Sequence, residues 1–349
     1  MNKETISNVL RHCNICNKDF PLEKCVKGEY EYSCLECRLQ KARIYKSTLR
    51  GKISELLGTA KSRARKRATK NRNDSSGDFT ITREDLEQLW KRQQGFCHYS
   101  GLPMELEFGS DWYASLERLN PAQGYVKSNV VFCCQEFNGT EQWNSEKFQF
   151  LLQADQLLVD IAKLKQQMVK PSRKAPVHYN TREKMTLYGE EFLKCRGDYC
   201  LNDFKHISEF YFIVSNGCIF SECNACQYLG VYRFVIRLIQ SAITHCKRKR
   251  KKMKKQEQKE ITIQQIFSKI IEQGGRCYYS NMPLKFQPNV SWKCSLERLN
   301  NEVGYINENV VLVCYEFNTA KQWSKAKFQT ALASIRNKYQ APVSISTSN

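Results

Sequence analysis

The chain has 349 residues, enough for two domains of ordinary size, and it is strongly basic, with 55 Lys and Arg against 35 Asp and Glu and a formal charge of +20. That balance points to a polyanionic partner, nucleic acid first, and the sequence offers neither a bilayer-spanning apolar run nor a lipidation motif, so a membrane is set aside. The first residues lack the apolar core of a signal peptide, so an intracellular, reducing location is expected (nuclear in a eukaryote), and the 17 cysteines read as metal ligands or buried thiols before disulfides.

In chain order, a cysteine-rich module comes first, with Cys13-x2-Cys16 and Cys34-x2-Cys37. Two cysteines two residues apart on a tight turn can both reach one metal, and two such turns close a tetrahedron that thiolates reserve for zinc. A basic helix is expected over 49–67, ending in a tract that includes Arg63, Arg65, Lys66 and Arg67, with Arg72 just beyond. A short helix over 82–93 follows, capped by Thr82 with Asp85 three residues on. The segment 95–103 reads as a turn entering a strand, 114–119 and 129–133 read as strands, a helix is expected from near Cys134, and a last helix over 145–166. The Pro-containing, charged stretch 167–190 reads as an inter-domain linker.

The same order of parts then recurs. Cys195-x4-Cys200 with Cys223-x2-Cys226 forms a second zinc module, and Phe20 and Phe204 each lie four residues after the second cysteine of their module; Cys25 and Cys218 are unpaired extras. A basic helix beginning at 232 runs into Lys247, Arg248, Lys249 and Arg250, and 263–273 partners the short capped helix. Ser-Leu-Glu-Arg-Leu-Asn at 115–120 returns at 295–300, Gly124 and Tyr125 return as Gly304 and Tyr305, and Glu136, Phe137 and Asn138 return as Glu316, Phe317 and Asn318. The chain is therefore a tandem duplication: zinc module 1–45, domain 46–166, linker 167–190, zinc module 191–230, domain 231–340 and tail 341–349, an α+β architecture. An apolar pattern needs only hydrophobicity to persist, whereas here Glu, Arg, Asn, Tyr and Gln persist in register, which implies two sites of similar chemistry.

Strand, Gly-containing loop, strand and helix bring Glu117 towards Asn138. Both offer oxygen ligands for a hard cation such as Mg²⁺ or Mn²⁺, with positions left for water and a phosphate oxygen. Arg118 would point to the other side of an extended strand and could grip that phosphate, and Tyr99 is a candidate to orient or deprotonate the attacking water. Glu297, Asn318, Arg298 and Tyr279 repeat the set. The basic tracts are expected to meet backbone phosphates, and Trp143, Trp323, Phe148 and Phe328 are expected in the core.

Cys97-x-Tyr99-x-Gly101, then Glu117-Arg118, then Gly124-Tyr125, then Asn129, then Cys134-x3-Asn138 resembles the HNH (ββα-metal) endonuclease superfamily, closest in layout to a rare-cutting restriction enzyme of that superfamily with an N-terminal four-cysteine zinc module. The resemblance covers most of each half. It implies two ββα-metal nuclease domains arranged as a pseudo-two-fold single-chain dimer, a monomer that cuts both strands of double-stranded DNA, one strand per site. It places the catalytic metal on Glu117/Asn138 and Glu297/Asn318, sets Tyr99/Arg118 and Tyr279/Arg298 beside the scissile phosphate, and makes Asn129 and Asn309 the residues that brace the loop. Three positions depart from the family pattern. The acid is Glu where Asp is usual, the familiar His beside it is Arg118 or Arg298, and the family's second zinc knuckle is incomplete. Cys97 is followed by Ser100, Cys134 by Phe137, Cys277 by Ser280 and Cys314 by Phe317 where second cysteines belong. One zinc per half is therefore expected, with Phe137 and Phe317 packed in the place of the missing knuckle. The alternative class, a non-catalytic zinc-dependent DNA-binding protein, has no reason to keep Glu117/Asn138 and Glu297/Asn318. RNA as the polyanion shares the same phosphodiester chemistry.

Overall fold

The computed structural model describes residues 10–27, 32–70, 75–139, 143–171, 176–197, 200, 203–228, 230–250, 261–318 and 322–340, with the backbone alone at 227, 228 and 245–250. It is an α+β molecule of helices and small antiparallel sheets, divided into two compact units: Met1–Asn138 with Ser334–Asn349, and Gly139–Ala333.

Unit 1 opens with two short hairpins, β1 (Leu10–His12) with β2 (Asp19–Pro21) and β3 (Cys25–Lys27) with β4 (Tyr32–Cys34). Helix α1 (Leu35–Ser47) follows and buries none of its side chains. Thr48 separates it from α2 (Leu49–Lys70): its hydroxyl donates to the Tyr45 carbonyl at 2.7 Å and accepts the Gly51 amide at 3.1 Å. A Cβ at Gly51 would lie 1.9 Å from the Tyr45 carbonyl oxygen, so this elbow requires glycine. Ile53, Ala60 and Ala64 form the buried stripe of α2 at helical spacing, Lys52 is buried beside them, and Arg63, Arg65, Lys66 and Lys70 are exposed.

Helix α3 (Arg83–Gln93) starts in the expected capping box, with the Thr82 hydroxyl accepting from the Asp85 amide and the Asp85 carboxylate accepting from the Thr82 amide. At its other end Gln93 exchanges two hydrogen bonds with the Phe132 backbone, 2.8 and 2.9 Å, which ties the helix to the following hairpin. That hairpin is β5 (Ala114–Arg118) with β6 (Val130–Cys134), Glu117 opposite Val131. Gly124 lies so close to the Asp78 backbone that a Cβ would meet its carbonyl oxygen at 2.2 Å, and Tyr125 donates its amide to the same carbonyl, so the repeated Gly-Tyr pair is a docking device for the loop.

The helix expected from Cys134 is instead one 3-10 turn, Gln135–Phe137, with Asn138 as its cap. The turn is held by the repeated glutamate: Glu136 is buried and its Oε1 accepts the amide of Trp112, which sits at φ 59°. That contact uses the side chain the sequence had left without a role.

Unit 2 begins with α4 (Ser145–Leu152), a 3-10 turn (Ala154–Gln156) and α5 (Ile161–Gln167), so the single helix expected over 145–166 is broken in the middle. The stretch expected as linker carries strands. In sequence order the sheets use β7 (Val177–His178), β8 (Lys184–Leu187), β9 (Glu190–Lys194), β10 (Phe204–His206), β11 (Phe212–Ile213) and β12 (Cys218–Ile219). β7 pairs with β12, and β8 pairs with β9 through Tyr188-Gly189, both at positive φ as a tight two-residue hairpin demands. Strands β7 and β8, from the stretch expected as linker, thus pair with β12 and β9 of the second cysteine-rich segment.

After α6 (Asn224–Tyr228) come α7 (Val231–Arg250), α8 (Ile263–Glu272), the hairpin β13 (Cys294–Arg298) with β14 (Val310–Cys314), and a 3-10 turn Tyr315–Phe317. α9 (Lys325–Gln340) begins in unit 2 and ends in unit 1. The core of unit 2 is aromatic. Trp143 stacks on Phe148 with centroids 4.8 Å apart and meets Trp292 and Phe317 edge-on at 5.8 Å; Phe317 in turn meets Trp323 and Phe328. The expectation that Trp143, Trp323, Phe148 and Phe328 are core residues holds, and Phe137 and Phe317 are fully enclosed. Segment 143–157, which by sequence closes the first repeat, thus completes the core built by the second.

Candidate metal centres and candidate active sites

Backbone amides gather the first cysteine set. The Cys34 amide donates to Cys13 Sγ at 3.2 Å and the Cys37 amide to Cys34 Sγ at 3.4 Å. The four Sγ atoms of Cys13, Cys16, Cys34 and Cys37 lie within 4.8 Å of one another, as do those of Cys195, Cys200, Cys223 and Cys226. A zinc tetrahedron with bonds of about 2.3 Å needs sulfurs about 3.8 Å apart. Cys16–Cys34 is 4.0 Å, Cys195–Cys226 3.7 Å and Cys200–Cys223 3.5 Å, so the donor sets fit the ion in size and in chemistry.

A Cβ at Gly197 would stand 2.5 Å from Cys226 Sγ, so glycine leaves the room that the wider Cys195-x4-Cys200 turn needs. The Cys34 amide pulls the Cys13 thiol down to about 6, towards the thiolate. Burial raises Cys195, but the amides of Cys223 and Gly197 outweigh it and the net direction is down. Cys25 and Cys218 stand apart, their thiols donating to backbone carbonyls.

At the incomplete knuckle, Cys97 Sγ accepts the Ser100 amide at 3.5 Å and the Cys134 amide at 3.3 Å. Cys277 Sγ likewise accepts the Cys314 amide at 3.2 Å. The turn keeps its hydrogen bonds with two sulfurs where four would be needed, and Phe137 and Phe317 occupy the following position in the core.

The polar constellation is built twice. Asn138 Nδ2 donates to Ser115 Oγ and to the Leu116 carbonyl, both at 3.0 Å; Asn318 Nδ2 donates to Ser295 Oγ at 2.8 Å and to the Leu296 carbonyl at 2.9 Å. Each amide is thereby turned beside the strand position just before Glu117 or Glu297. Ser115 and Ser295 were missed by sequence reasoning, although both lie inside the repeated hexapeptide.

Burial pushes the Glu117 carboxyl up to about 7 against the pull of Arg118, Arg63 and Arg67. Burial does the same to Glu297, also to about 7, against Arg298. Burial, with Glu117 among the nearby charges, holds the Tyr99 phenol far above its ordinary value, and Tyr279 is raised in the same way beside Glu297. Tyr99 thus lies within electrostatic reach of Glu117 and Tyr279 of Glu297, and burial favours the protonated phenol at both.

Arg118 is tied to the loop that follows it. Its Nη1 donates to the carbonyls of Pro121 and Gln123 at 2.8 and 2.7 Å, with the guanidinium 5.5 Å from the Tyr125 centroid. Arg298 binds Asn301 and Val303 similarly, 5.1 Å from Tyr305. Both arginines brace the loop by one edge. Asn129 is a bracing residue outright: its amide accepts from the Asn120 amide and donates to the carbonyls of Asn120 and Gly124, and Asn309 repeats all three bonds. These bonds are those of the loop-bracing part expected of Asn129 and Asn309.

Helix α2 adds cations to the first site. Arg67 lies 5.6 Å from the Tyr125 centroid with its Nη1 out of water and without a hydrogen-bond acceptor, and Arg63 and Arg67 both act on Glu117 and Arg118. Three guanidiniums around one carboxyl leave an excess of positive charge. Arg63, Arg65 and Lys66 are exposed on the same helix. Arg72 lies outside the described residues, as do the side chains of Lys247, Arg248, Lys249 and Arg250, whose backbone ends α7. No helix among the described residues is long and apolar enough to cross a membrane. No protein-family model, curated protein or solved structure matches this chain.

Proposed function

We propose that this chain is a divalent-metal-dependent endonuclease of double-stranded DNA, with one phosphodiester-hydrolysing site in each repeat and one strand cut per site. The observation that carries this reading is the repeated construction of one polar site: a Glu pushed up to about 7, half-buried at Glu117 and buried at Glu297, on a strand to which an Asn amide is locked by Ser and a backbone carbonyl. A module that only binds DNA gains nothing from two carboxyls whose desolvation costs stability. The resemblance to the HNH superfamily supports the same assignment, and the net charge of +20 supports a polyanionic substrate.

Glu117 with Asn138, and Glu297 with Asn318, would hold a Mg²⁺ or Mn²⁺ ion, which supplies neutralisation of the charge that develops on phosphate and leaving oxygen. The water oxygen bonds to phosphorus as it gives up a proton to solvent, one P–O bond to sugar breaks with its electron pair, and the departing alkoxide takes a proton from solvent. Arg118 and Arg298 offer their unbraced edge to the phosphate, with Arg63 and Arg67 added at the first site. Tyr99 and Tyr279 orient by donating. Arg65, Lys66, Arg72 and the tract from Lys247 to Arg250 meet backbone phosphates and set affinity and its salt dependence. The two four-cysteine centres hold structural zinc and take no part in the reaction.

The protein would act inside the cell as a monomer, a pseudo-dimer in one chain, which suits a homing-type or defence nuclease. The test is supercoiled plasmid carrying randomised inserts, with Mg²⁺ added or omitted, beside Glu117→Gln and Glu297→Gln. Mg²⁺-dependent linearisation that becomes nicking in either variant is expected. Tight binding without cutting across divalent metals would instead identify a zinc-dependent DNA-binding protein, and a preference for structured RNA would replace the substrate.

A further inference from the structure

Tyr99 sits at the apex of the turn from Cys97 to Gly101, and in unit 1 this turn is held by the end of α9. Ser334 Oγ donates to the Ser100 carbonyl at 2.9 Å, Tyr339 Oη donates to the Tyr99 carbonyl at 3.0 Å, and Lys338 Nζ donates to the His98 carbonyl. Three consecutive carbonyls are thus satisfied by three side chains that lie more than 230 residues further along the chain.

The corresponding turn of unit 2 is held with the opposite polarity. There the turn supplies the donors: Arg276 donates to the carbonyls of Ala154 and Leu157, and Asn281 Nδ2 donates to Asp155 Oδ1 at 2.5 Å. In unit 1 Phe96 and Gly101 stand in the places of Arg276 and Asn281 and carry no side-chain donor, so the donors must come from the helix. Gly101 and Asn281 keep the same left-handed conformation, φ 73° and 57°, so the turns share a shape and differ in what secures them.

We infer that Ser334, Lys338 and Tyr339 are positioning residues for the Tyr99 site, that Arg276 and Asn281 play this part for the Tyr279 site, and that the two sites can therefore be loosened independently. For catalysis this rests on the nuclease reading. The turn carries Tyr99 on its backbone, so a donor lost from the His98–Ser100 carbonyls frees the phenol's direction without touching a reacting atom. An error of about 1 Å at such a group costs on the order of 10²-fold in rate.

The experiment uses the full chain and the variants Tyr339→Phe, Lys338→Met, their combination, and Lys338→Arg, with Arg276→Met as the reciprocal change. Amide exchange is followed at 97–102 and 277–282, beside kcat and KM for each strand on a cleaved plasmid. In the double variant, exchange at 97–102 should quicken tenfold or more with 277–282 unchanged. The strand assigned to the first site by Glu117→Gln should lose tenfold or more in kcat at unchanged KM, Lys338→Arg should stay close to wild type, and Arg276→Met should show the mirror pattern. Unchanged exchange at 97–102, or equal loosening of both turns, overturns the inference. A wild-type chain that cuts nothing sinks the nuclease reading and with it the catalytic part, while the exchange pattern alone then decides whether α9 locks the turn.

Discussion

Lys147 Nζ stands 3.2 Å from Glu316 Oε1, in a place where the glutamate side chain is wholly removed from water and the lysine nearly so. The same oxygen accepts the Trp292 amide at 2.8 Å, so one carboxylate holds both the incoming α4 and the left-handed turn before β13. Removing one member of a buried pair strands the other. Lys147→Met is expected to destabilise unit 2 by about 3 kcal/mol. Urea unfolding followed by tryptophan fluorescence checks this, and a midpoint equal to wild type would show that the pair contributes little beyond packing.

Metal content follows from the sulfur geometry. Purified chain is expected to carry about two zinc ions, and Cys37→Ser or Cys200→Ser to carry about one, because three thiolates hold zinc far more weakly than four. Elemental analysis of intact protein decides it. About four ions per chain would mean that Cys97 with Cys134, and Cys277 with Cys314, complete sites of their own.

The two raised carboxyls make stability fall with rising pH. Glu117 and Glu297 bind a proton up to about pH 7 in the folded chain but release it near 4.5 when unfolded. Between those values the folded state holds more protons, so stability is greatest below the lower value and declines as pH climbs through the upper one. Without added Mg²⁺, Glu117→Gln and Glu297→Gln should each remove one such decline from the urea midpoint plotted against pH. On the proposed nuclease reading Mg²⁺ displaces that proton, so calorimetry in two buffers of different ionisation enthalpy should detect proton release on metal binding at pH 6.5. No release would place the cation elsewhere.

Lys52 presents the reverse sign. Burial pushes it down to about 8, partly offset by Glu55, while its Nζ lies 3.3 Å from the Tyr113 ring centroid, a contact that favours the cation. Desolvation wins, so the folded chain binds fewer protons between about 8 and 10.5 and wild-type stability rises with pH across that window. Lys52→Met is expected to stabilise by about 1 kcal/mol at pH 7, with the gain shrinking towards pH 10. A destabilised variant would mean that the ring contact and Glu55 outweigh burial.

The parts with local causes were legible in the sequence. The capping box at Thr82, the paired Cys-x2-Cys turns and the strands around Glu117 follow from neighbours a few residues apart, and the duplication exposed which polar residues act together. What stayed hidden depends on distant partners. Tyr188-Gly189 gave a hairpin signal inside a stretch whose prolines and charges read as linker. Asn138 reads as helical by spacing, yet Glu136 turns inward to hold the Trp112 amide and the chain leaves the helix after one turn. The bracing parts of Arg118 and Asn129 are set by loop carbonyls, which a residue pattern does not display.

Unit 1 is discontinuous, its body complete by Asn138 and its last pieces supplied from Ser334 onward. On the ribosome the Tyr99 turn therefore waits, its three carbonyls open to water, until nearly the whole message has been read. A message cut short after the first repeat would release a chain with Glu117 and Asn138 in place but the turn unsecured. If the sites cut DNA, full competence arrives at both at the end of synthesis, so a truncated product is a poor nicking enzyme rather than a working half.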